Sequence, residues 1–379
     1  MKCRVCKSKC FSEPLLVYKG LPASAQGFPE LDDLENDSGT DLSLFQCSVC
    51  GLVQLSGKPV PYYKQVIRAA SFSDEMKKFR SEQFAMWIDR YNLKGKSVLE
   101  VGCGRGEYLS IVNQTDVSLA HGVEYSQDFV DSCLKSELSV TKGFFGDHNF
   151  DLPRKKFDGF LCLNFMEHWP DPNKSLSHLK NTLDQGAIGM IEVPNFNMIL
   201  RDGLYSEFIA DHLLYFTKDT LTFMLNYNGF EVVEVSEVWH DYILSAIVKK
   251  RKKFNLSHLK DCKLRVEYEL NSFIGKFEKK QVAIWGAGHQ SLAVMSLAKL
   301  GDKIKYVVDS APFKQGKYTP ATHIPIVTPA ELIDDPVEAV IIIAASYSDE
   351  VAKIIEKSYQ HIENVAILEN DRLRVISLK

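Results

Sequence analysis

A glycine loop is the first group of residues in this 379-residue chain whose types and spacing could do chemistry. Gly102, Gly104 and Gly106 follow the apolar run Ser97–Val101, and an amphipathic stretch comes after them. Glycines let a backbone turn sharply and approach a ligand closely, and the start of a helix aims N–H groups at that ligand. The pattern therefore predicts a strand, a ligand-binding loop and a helix.

Two acidic residues accompany this loop. Glu100 precedes it, and Glu124 ends a second apolar stretch, 18 positions after Gly106, where a carboxylate suits the hydroxyls of a ribose. A dinucleotide fingerprint needs G-x-G-x-x-G, whereas position 107 is a glutamate. The spacing resembles motif I of the class I S-adenosylmethionine methyltransferases; the alternative is a glycine turn that only connects a strand to a helix.

Four cysteines form the second group. Cys3-x-x-Cys6 and Cys47-x-x-Cys50 can each present two thiolates through a tight turn, and together they can close a tetrahedral zinc site. Four thiolates leave no open coordination position, so we expect one structural zinc ion. Cys10 is a competing ligand, although it has no partner at C-x-x-C spacing.

The third group is the pair Asp211-His212. A histidine oriented by a carboxylate can accept a proton near neutral pH, although a buried structural histidine would show the same pattern. Further polar residues, Asn164 to His168, follow the apolar run Phe157–Leu163. Ligands of open α/β sheets bind beyond the carboxyl ends of the strands, so these residues are expected near the chemistry.

These residues require an α/β architecture in three parts. We expect a zinc-binding lobe over residues 1–58, a Rossmann-like methyltransferase domain over residues 59–250 with a seven-stranded sheet, and a smaller α/β domain over residues 251–379. The last part has a second glycine turn, Gly286-Ala-Gly288, and Asp309 follows it by about 20 residues, which is the arrangement of a weak nucleotide-binding unit.

The amino-acid composition limits the classes of binding partner that we expect. The chain has 45 basic and 49 acidic residues, so its formal charge of −4 provides no field that would recruit nucleic acid or an anionic membrane. Its apolar runs fall short of the roughly 20 residues that cross a bilayer, and no signal peptide is evident. We expect a cytoplasmic protein whose nine cysteines bind metal or stay free.

Taken together, the two cysteine pairs, the Glu100–Gly106 loop, Asp211-His212 and the segments Val308–Gly316 and His323–Ile326 resemble the bacterial deoxysugar C-methyltransferases. The resemblance covers the whole chain and implies methylation of a carbon of a nucleotide-linked keto-sugar. It implies that Asp147 and Asn164 join Glu100, the three glycines and Glu124 in binding S-adenosylmethionine. It also implies that the sugar nucleotide contacts His168 and the C-terminal residues Gly286, Gly288, Asp309 and Lys314.

The resemblance further implies that His212 is the base that removes the proton next to the sugar ketone, with Asp211 where the family has a glutamate. The chain departs from the family at Arg68–Ser73, where a tyrosine-rich stretch is expected, and at Ile209, where a second tyrosine is expected. An O-methyltransferase acting on a sugar or a related polar metabolite is therefore the alternative, and a nucleotide-sugar-binding protein without catalysis is a third hypothesis.

Overall fold

The structure is a computed structural model that describes residues 1–26, 28–65, 72–152 and 156–377. The chain forms two compact units, Met1–Lys252 and Lys253–Lys379. The first unit contains both the predicted zinc lobe and the predicted methyltransferase domain. The predicted division of the chain into three parts stays a prediction.

The first unit alternates strands and helices along most of its length. Its strands are β1 Leu16–Leu21, β2 Thr40–Gln46, β3 Val53–Leu55, β4 Ser97–Val101, β5 Leu119–Glu124, β6 Ser139–Lys142, β7 Phe157–Leu163, β8 Leu183–Pro194, β9 Leu214–Tyr215, β10 Phe230–Val238 and β11 Ile243–Lys250. Its α-helices are α1 Asp74–Arg90, α2 Glu107–Asn113, α3 Gln127–Lys135, α4 Pro172–Asn181, α5 Phe196–Asp202 and α6 Lys218–Tyr227. Short 3₁₀ helices cover Leu31–Asp33 and Met166–His168.

Seven of these strands form the central sheet, in the order β10-β11-β8-β7-β4-β5-β6. The strands β4 to β8 are parallel, and β11 enters antiparallel to β8. The predicted α/β fold class is confirmed, since parallel strands alternate with helices and the glycine loop follows strand β4. The antiparallel strands β10 and β11 form one edge of the sheet. Lys249 and Lys250, at the expected boundary between the second and third parts, are the last two residues of β11.

The central sheet is buried on both faces because helices cover it, which explains its near-continuous apolar strands. Every residue of β4 is buried, and Phe160 and Leu161 of β7 have no exposed surface. Gly189 of β8 leaves room for the Phe160 ring, since a Cβ there would lie 2.1 Å from Phe160 Cζ. Helix α1 packs Phe84 and Trp87 into the core on the β4 side.

A second, four-stranded sheet has the order β1-β2-β3-β9. Three of its strands come from the N-terminal lobe, and the fourth, Leu214–Tyr215, begins two residues after His212. Val53 pairs with Tyr215 in antiparallel register. The lobe is therefore joined by strand pairing to the segment that carries the predicted base.

The second unit has its own six-stranded sheet, in the order β14-β13-β12-β15-β16-β17. The strands are β12 Val282–Trp285, β13 Val307–Val308, β14 Ile326–Val327, β15 Ala339–Ile342, β16 Asn364–Glu369 and β17 Arg372–Ser377. Its helices are α7 Ser257–Ile274, α8 His289–Leu297, α9 Glu331–Asp334 and α10 Ser348–Ser358, with a 3₁₀ turn at Ala345–Tyr347. Five strands are parallel and β17 is antiparallel, which makes this unit a doubly wound α/β domain.

Across the described ranges, no helix combines the length and the apolar character that a membrane crossing requires.

Candidate functional site

The glycine loop has a backbone that side chains would disrupt. Gly102 and Gly106 have φ values of 71° and 86°. A Cβ at Gly102 would lie 2.6 Å from the Phe165 ring, and one at Gly106 would lie 2.4 Å from Leu138 Cδ1. Both glycines are therefore required by conformation and by space, and the backbone of the loop can lie directly against a ligand.

The two predicted acids lie at the same edge of the sheet as this loop. Glu124 at the end of β5 accepts hydrogen bonds from Gly104 N at 3.0 Å and Ser126 N at 2.8 Å. Burial raises the pKa of Glu124, although these backbone donors act in the opposite direction. Glu100 is buried within β4, directly before the loop.

Asp147 has a partner that the sequence did not indicate. Lys64 Nζ lies 2.7 Å from Asp147 Oδ1, and the same ammonium group lies 4.9 Å from the ring centre of Tyr125 and 5.3 Å from that of Phe144. The predicted contact of Asp147 with S-adenosylmethionine stays a prediction. It requires the Asp147 carboxylate to bind the cofactor together with Lys64 or to release Lys64.

A cavity of about 510 Å³ opens beside the glycine loop. Its walls bring together six of the predicted site residues, and they add residues from the N-terminal lobe and from the loop before β11. The predicted residues that line it are Gly102, Gly104, Asn164, His168, Asp211 and His212, and Ala25, Gln26, Glu167 and Tyr242 contribute further. Sequence positions far apart therefore meet in one chamber at the carboxyl end of the sheet.

Two histidines meet in this cavity. The ring centres of His168 and His212 are 4.8 Å apart, with the rings nearly perpendicular. His168 Nδ1 lies 2.9 Å from the backbone oxygen of Asp211, which makes Nδ1 the protonated nitrogen and leaves Nε2 as an acceptor. Burial lowers the pKa of His168 to about 4 and that of His212 well below its ordinary value, and each ring is therefore neutral at pH 7.

Glu167 is a site residue that the sequence reasoning grouped with its neighbours and gave no role. Its carboxyl is buried in the cavity wall, and Oε1 lies 3.9 Å from His168 Nε2. Burial raises the pKa of this carboxyl to about 8. The signal that could have identified it is its position in a Glu-His pair a few residues after a buried parallel strand.

The carboxylate of Asp211 is engaged with the N-terminal part of the chain. It accepts hydrogen bonds from the Tyr62 hydroxyl at 2.8 Å and from Ala25 N at 3.0 Å. Among the described residues, no hydrogen bond joins this carboxylate to the ring of His212. The predicted orienting role of Asp211 stays a prediction, and the contacts indicate that Asp211 also fastens the lobe over the cavity.

The predicted departures from the family fall partly within this region. Residues 68–71 lie outside the described residues. Ile209 lines the cavity, and its backbone N–H donates to the Tyr215 hydroxyl at 3.2 Å. Other tyrosines bring hydroxyl groups to this region: Tyr242 lines the cavity, and the Tyr62 hydroxyl donates to the carboxylate of Asp211, which also lines it.

The four cysteines of the two C-x-x-C pairs converge as predicted. Their sulfur atoms all lie within 4.8 Å of one another, with Cys3 Sγ 3.6 Å from Cys50 Sγ and Cys6 Sγ 3.4 Å from Cys47 Sγ. Thiolates bound to one zinc ion at about 2.3 Å lie about 3.8 Å apart, so this set fits a tetrahedral ion. Backbone N–H groups of Val5 and Cys50 point at sulfur atoms at 3.4 Å, as expected for ligands that become thiolates.

The predicted residues of the second unit cluster around its own glycine turn. Asp309 accepts hydrogen bonds from Ala287 N at 2.8 Å and Ala311 N at 2.9 Å, and Lys314 Nζ lies 2.8 Å from its carboxylate. Gly286 has φ 116°, and a Cβ there would lie 2.4 Å from the backbone oxygen of Ile343. These residues lie where β12 and its neighbours end, which is the ligand-binding edge of such a sheet.

Comparison with known proteins defines the class. Residues 76–235 match a family model described as a methyltransferase domain, and residues 256–365 match one described as a C-methyltransferase C-terminal domain. The two matches follow one another along the chain, and each covers most of the strands of one α/β sheet. In both domains and in their order the chain is therefore similar to S-adenosylmethionine-dependent C-methyltransferases, and the predicted resemblance to that family is confirmed.

A particular relative extends over nearly the whole chain. C-methyltransferase NovU of Streptomyces niveus is 20% identical over 402 aligned residues, which cover 96% of this chain and 93% of the relative. tRNA U34 carboxymethyltransferase of Nautilia profundicola is 31% identical over 102 residues, but the match covers 25% of this chain and 33% of that protein. The chain thus spans about a third of the tRNA-modifying relative. A solved S-adenosylmethionine-dependent methyltransferase from Clostridium acetobutylicum aligns with 50% of this chain at 15% identity and a TM-score of 0.40, covering 96% of that structure.

Proposed function

We propose that this protein transfers a methyl group from S-adenosylmethionine to a carbon atom of a nucleotide-linked keto-deoxysugar. The observation that carries the proposal is the cavity itself, in which the glycine loop and a pair of neutral histidines face one another. The match of the second α/β domain to a C-methyltransferase model, and the length over which NovU aligns, support carbon as the acceptor.

The proposed cofactor site consists of the loop glycines, Glu100 and Glu124, with Asp147 and Asn164 at its margins. S-adenosylmethionine, when bound there, supplies an electrophilic methyl group. Asn164 has a positive φ of 48°, and its Oδ1 has no hydrogen-bond partner among the described residues. A buried oxygen without a hydrogen-bond donor is uncommon, so Asn164 Oδ1, just after β7, is suited to accept a hydrogen bond from a ligand.

His212 is the proposed base. A proton next to a ketone becomes acidic as negative charge moves to the ketone oxygen, so the reaction needs a proton acceptor and a donor near that oxygen. His212 is neutral because burial and the nearby His168 lower its pKa, which leaves one ring nitrogen able to accept the proton. The resulting enolate carbon would then attack the methyl group, and Asp211 would hold the segment in place through Tyr62 and Ala25.

The nucleotide half of the substrate is proposed to bind the second unit. Gly286 and Gly288 expose the backbone at the end of β12, and Lys314 supplies a cation beside Asp309. The structural zinc ion is proposed for the four-cysteine cluster, and the cytoplasm is the proposed location because a thiol cluster of this kind persists in a reducing compartment.

The first prediction tests the base and the acceptor atom together. The protein is incubated with S-adenosylmethionine and nucleoside diphosphate-linked keto-deoxyhexoses in D₂O, and the products are examined by NMR. We expect a methyl group bonded to carbon and exchange of the adjacent proton with solvent. His212→Asn should reduce turnover by at least 10³-fold while the affinity for S-adenosylmethionine changes less than twofold.

The control is His258→Asn, because His258 is exposed in the second unit and should leave turnover unchanged. A product methylated on oxygen would replace the proposal by the sugar O-methyltransferase, for which the departures at residues 68–73 and Ile209 argue. Full turnover by His212→Asn would remove this histidine from the reaction.

A further inference from the structure

We propose that Glu167, His168 and His212 form a binding site for a divalent first-row transition-metal ion inside the cavity, separate from the four-cysteine cluster. One ligand atom from each of the three residues lies within 4.8 Å of the other two. Donors bound to a common ion at about 2.1 Å lie no more than about 4.2 Å apart, so small side-chain rotations would complete the site.

The hydrogen bonds around His168 prepare it as a ligand. Its Nδ1 is bonded to the backbone oxygen of Asp211, so the Nε2 lone pair is directed away from that bond, on the side of Glu167. A metal-binding histidine characteristically donates its other ring N–H to a carbonyl or a carboxylate, which fixes its tautomer and orientation. In this protein the hydrogen bond from His168 Nδ1 to the backbone oxygen of Asp211 provides that support, and it does not depend on an ion.

Unpartnered oxygen atoms provide the independent observation. Glu167 is only 1% exposed, lines the cavity, and its Oε2 has no hydrogen-bond partner among the described residues. Asn164 Oδ1, at the same cavity wall, is also without a partner in the described chain. Leaving a buried carboxyl oxygen unpaired is costly, and a cation would satisfy it.

The donor set defines the class of ion. Two imidazoles and one carboxylate are the ligands of catalytic zinc sites and of non-haem iron sites, and both of these keep open coordination positions. The cavity wall around the three residues leaves space for such positions. An oxygen atom of the acceptor is the group that would occupy one of them.

The consequence for turnover depends on the proposed function. A ring nitrogen of His212 that is bound to a metal ion cannot accept a proton. If His212 is the base, metal binding therefore inhibits methyl transfer, and a chelator restores it. Binding and turnover are separate measurements, so the two proposals can fail independently.

The test uses Co²⁺ and the full-length protein with zinc retained in its cysteine cluster. Cobalt bound by nitrogen and oxygen shows d–d absorption in the visible range, whereas cobalt bound by thiolates adds strong near-ultraviolet charge-transfer absorption. We expect one Co²⁺ to bind per chain with visible bands and without the thiolate band. Glu167→Gln and His212→Gln should each weaken binding at least tenfold in calorimetry.

Matched controls are Glu350→Gln and His258→Gln, both at exposed positions of the second unit, which should bind Co²⁺ like the wild type. Thermal melts check that the cavity variants remain folded. The proposal is overturned if wild-type protein binds no Co²⁺ below the millimolar range, or if only the thiolate band appears. If Co²⁺ binds at these residues and accelerates turnover, the metal site stands and the proton-accepting role of His212 fails.

Discussion

Arg80 and Glu192 illustrate how single residues hold the first unit together. Their side chains have no exposed surface, and Arg80 Nη1 lies 2.5 Å from Glu192 Oε2. Gln83 accepts a hydrogen bond from Arg80 and donates one to Glu192, both at 2.7 Å. The pair joins α1 to β8, and the backbone oxygen of Glu192 accepts a hydrogen bond from Asn164 N in the cavity wall.

Removing one partner of this pair should be strongly destabilising, because a charge would remain buried without its counter-charge. We expect Arg80→Met to lower the free energy of unfolding of the first unit by about 3–5 kcal/mol in urea denaturation. Lys94→Met is the control, because the pair Lys94–Asp89 is exposed to solvent and its loss should leave the free energy of unfolding nearly unchanged. Equal effects of the two variants would contradict this account.

The requirement for glycine at position 106 can be tested with single substitutions. Gly106→Ala introduces both an unfavourable positive φ and a collision with Leu138, whereas Gly203→Ala introduces the positive φ alone, since no atom lies within 4 Å of its Cβ position. We expect Gly106→Ala to cost about 1–3 kcal/mol more in stability than Gly203→Ala. Its affinity for S-adenosylmethionine in calorimetry should fall at least tenfold, and that of Gly203→Ala should not change.

At the scale of elements, the four-stranded sheet links the cysteine cluster to the cavity. Cys47 is the first residue after β2, and β3 begins three residues after Cys50. Strand β3 in turn pairs with β9, which begins two residues after His212. The zinc ion would therefore stabilise the sheet that positions this histidine.

Cys47→Ser should remove zinc from the purified protein, since metal binding and folding of such lobes are coupled. We expect loss of one zinc per chain in metal analysis, rapid proteolysis within residues 1–58, and loss of turnover with S-adenosylmethionine binding retained. Cys262→Ser is the control, because this half-buried cysteine lies in the second unit outside the cluster. Wild-type protein without zinc but with full turnover would contradict the expectation.

Elements with strong local patterns could be predicted from the sequence. The buried runs Ser97–Val101 and Phe157–Leu163 became neighbouring parallel strands, and the glycine turns followed strands in both units. The strand Leu214–Tyr215 was missed because two residues carry no periodicity, and its partner β3 lies about 160 positions earlier. The Lys64–Asp147 and Asp211–Tyr62 contacts were likewise inaccessible, because nothing local specifies such distant side-chain pairs.

At the scale of the whole molecule, the two units have separate hydrophobic cores. One cluster of buried hydrophobic side chains includes Phe160, Trp169 and Phe230, all in the first unit. A second cluster includes Ile284, Met295 and Ile341, all in the second unit. Domains with their own cores commonly unfold as separate cooperative units.

We therefore expect calorimetry of the full chain to resolve two unfolding transitions that respond to different changes. Asp309→Ala removes a carboxylate that receives two backbone N–H groups and Lys314, and hydrogen bonds to a charged group contribute about 1.5–3 kcal/mol. It should lower the transition of the second unit by several degrees and leave the other unchanged, whereas S-adenosylmethionine should raise only the transition of the first unit. Asp302→Ala, at an exposed position of the same unit, should change neither. In the same experiment a nucleoside diphosphate should stabilise the second unit of the wild type and fail to stabilise that of Asp309→Ala; stabilisation of the first unit instead would transfer the nucleotide site to the methyltransferase sheet.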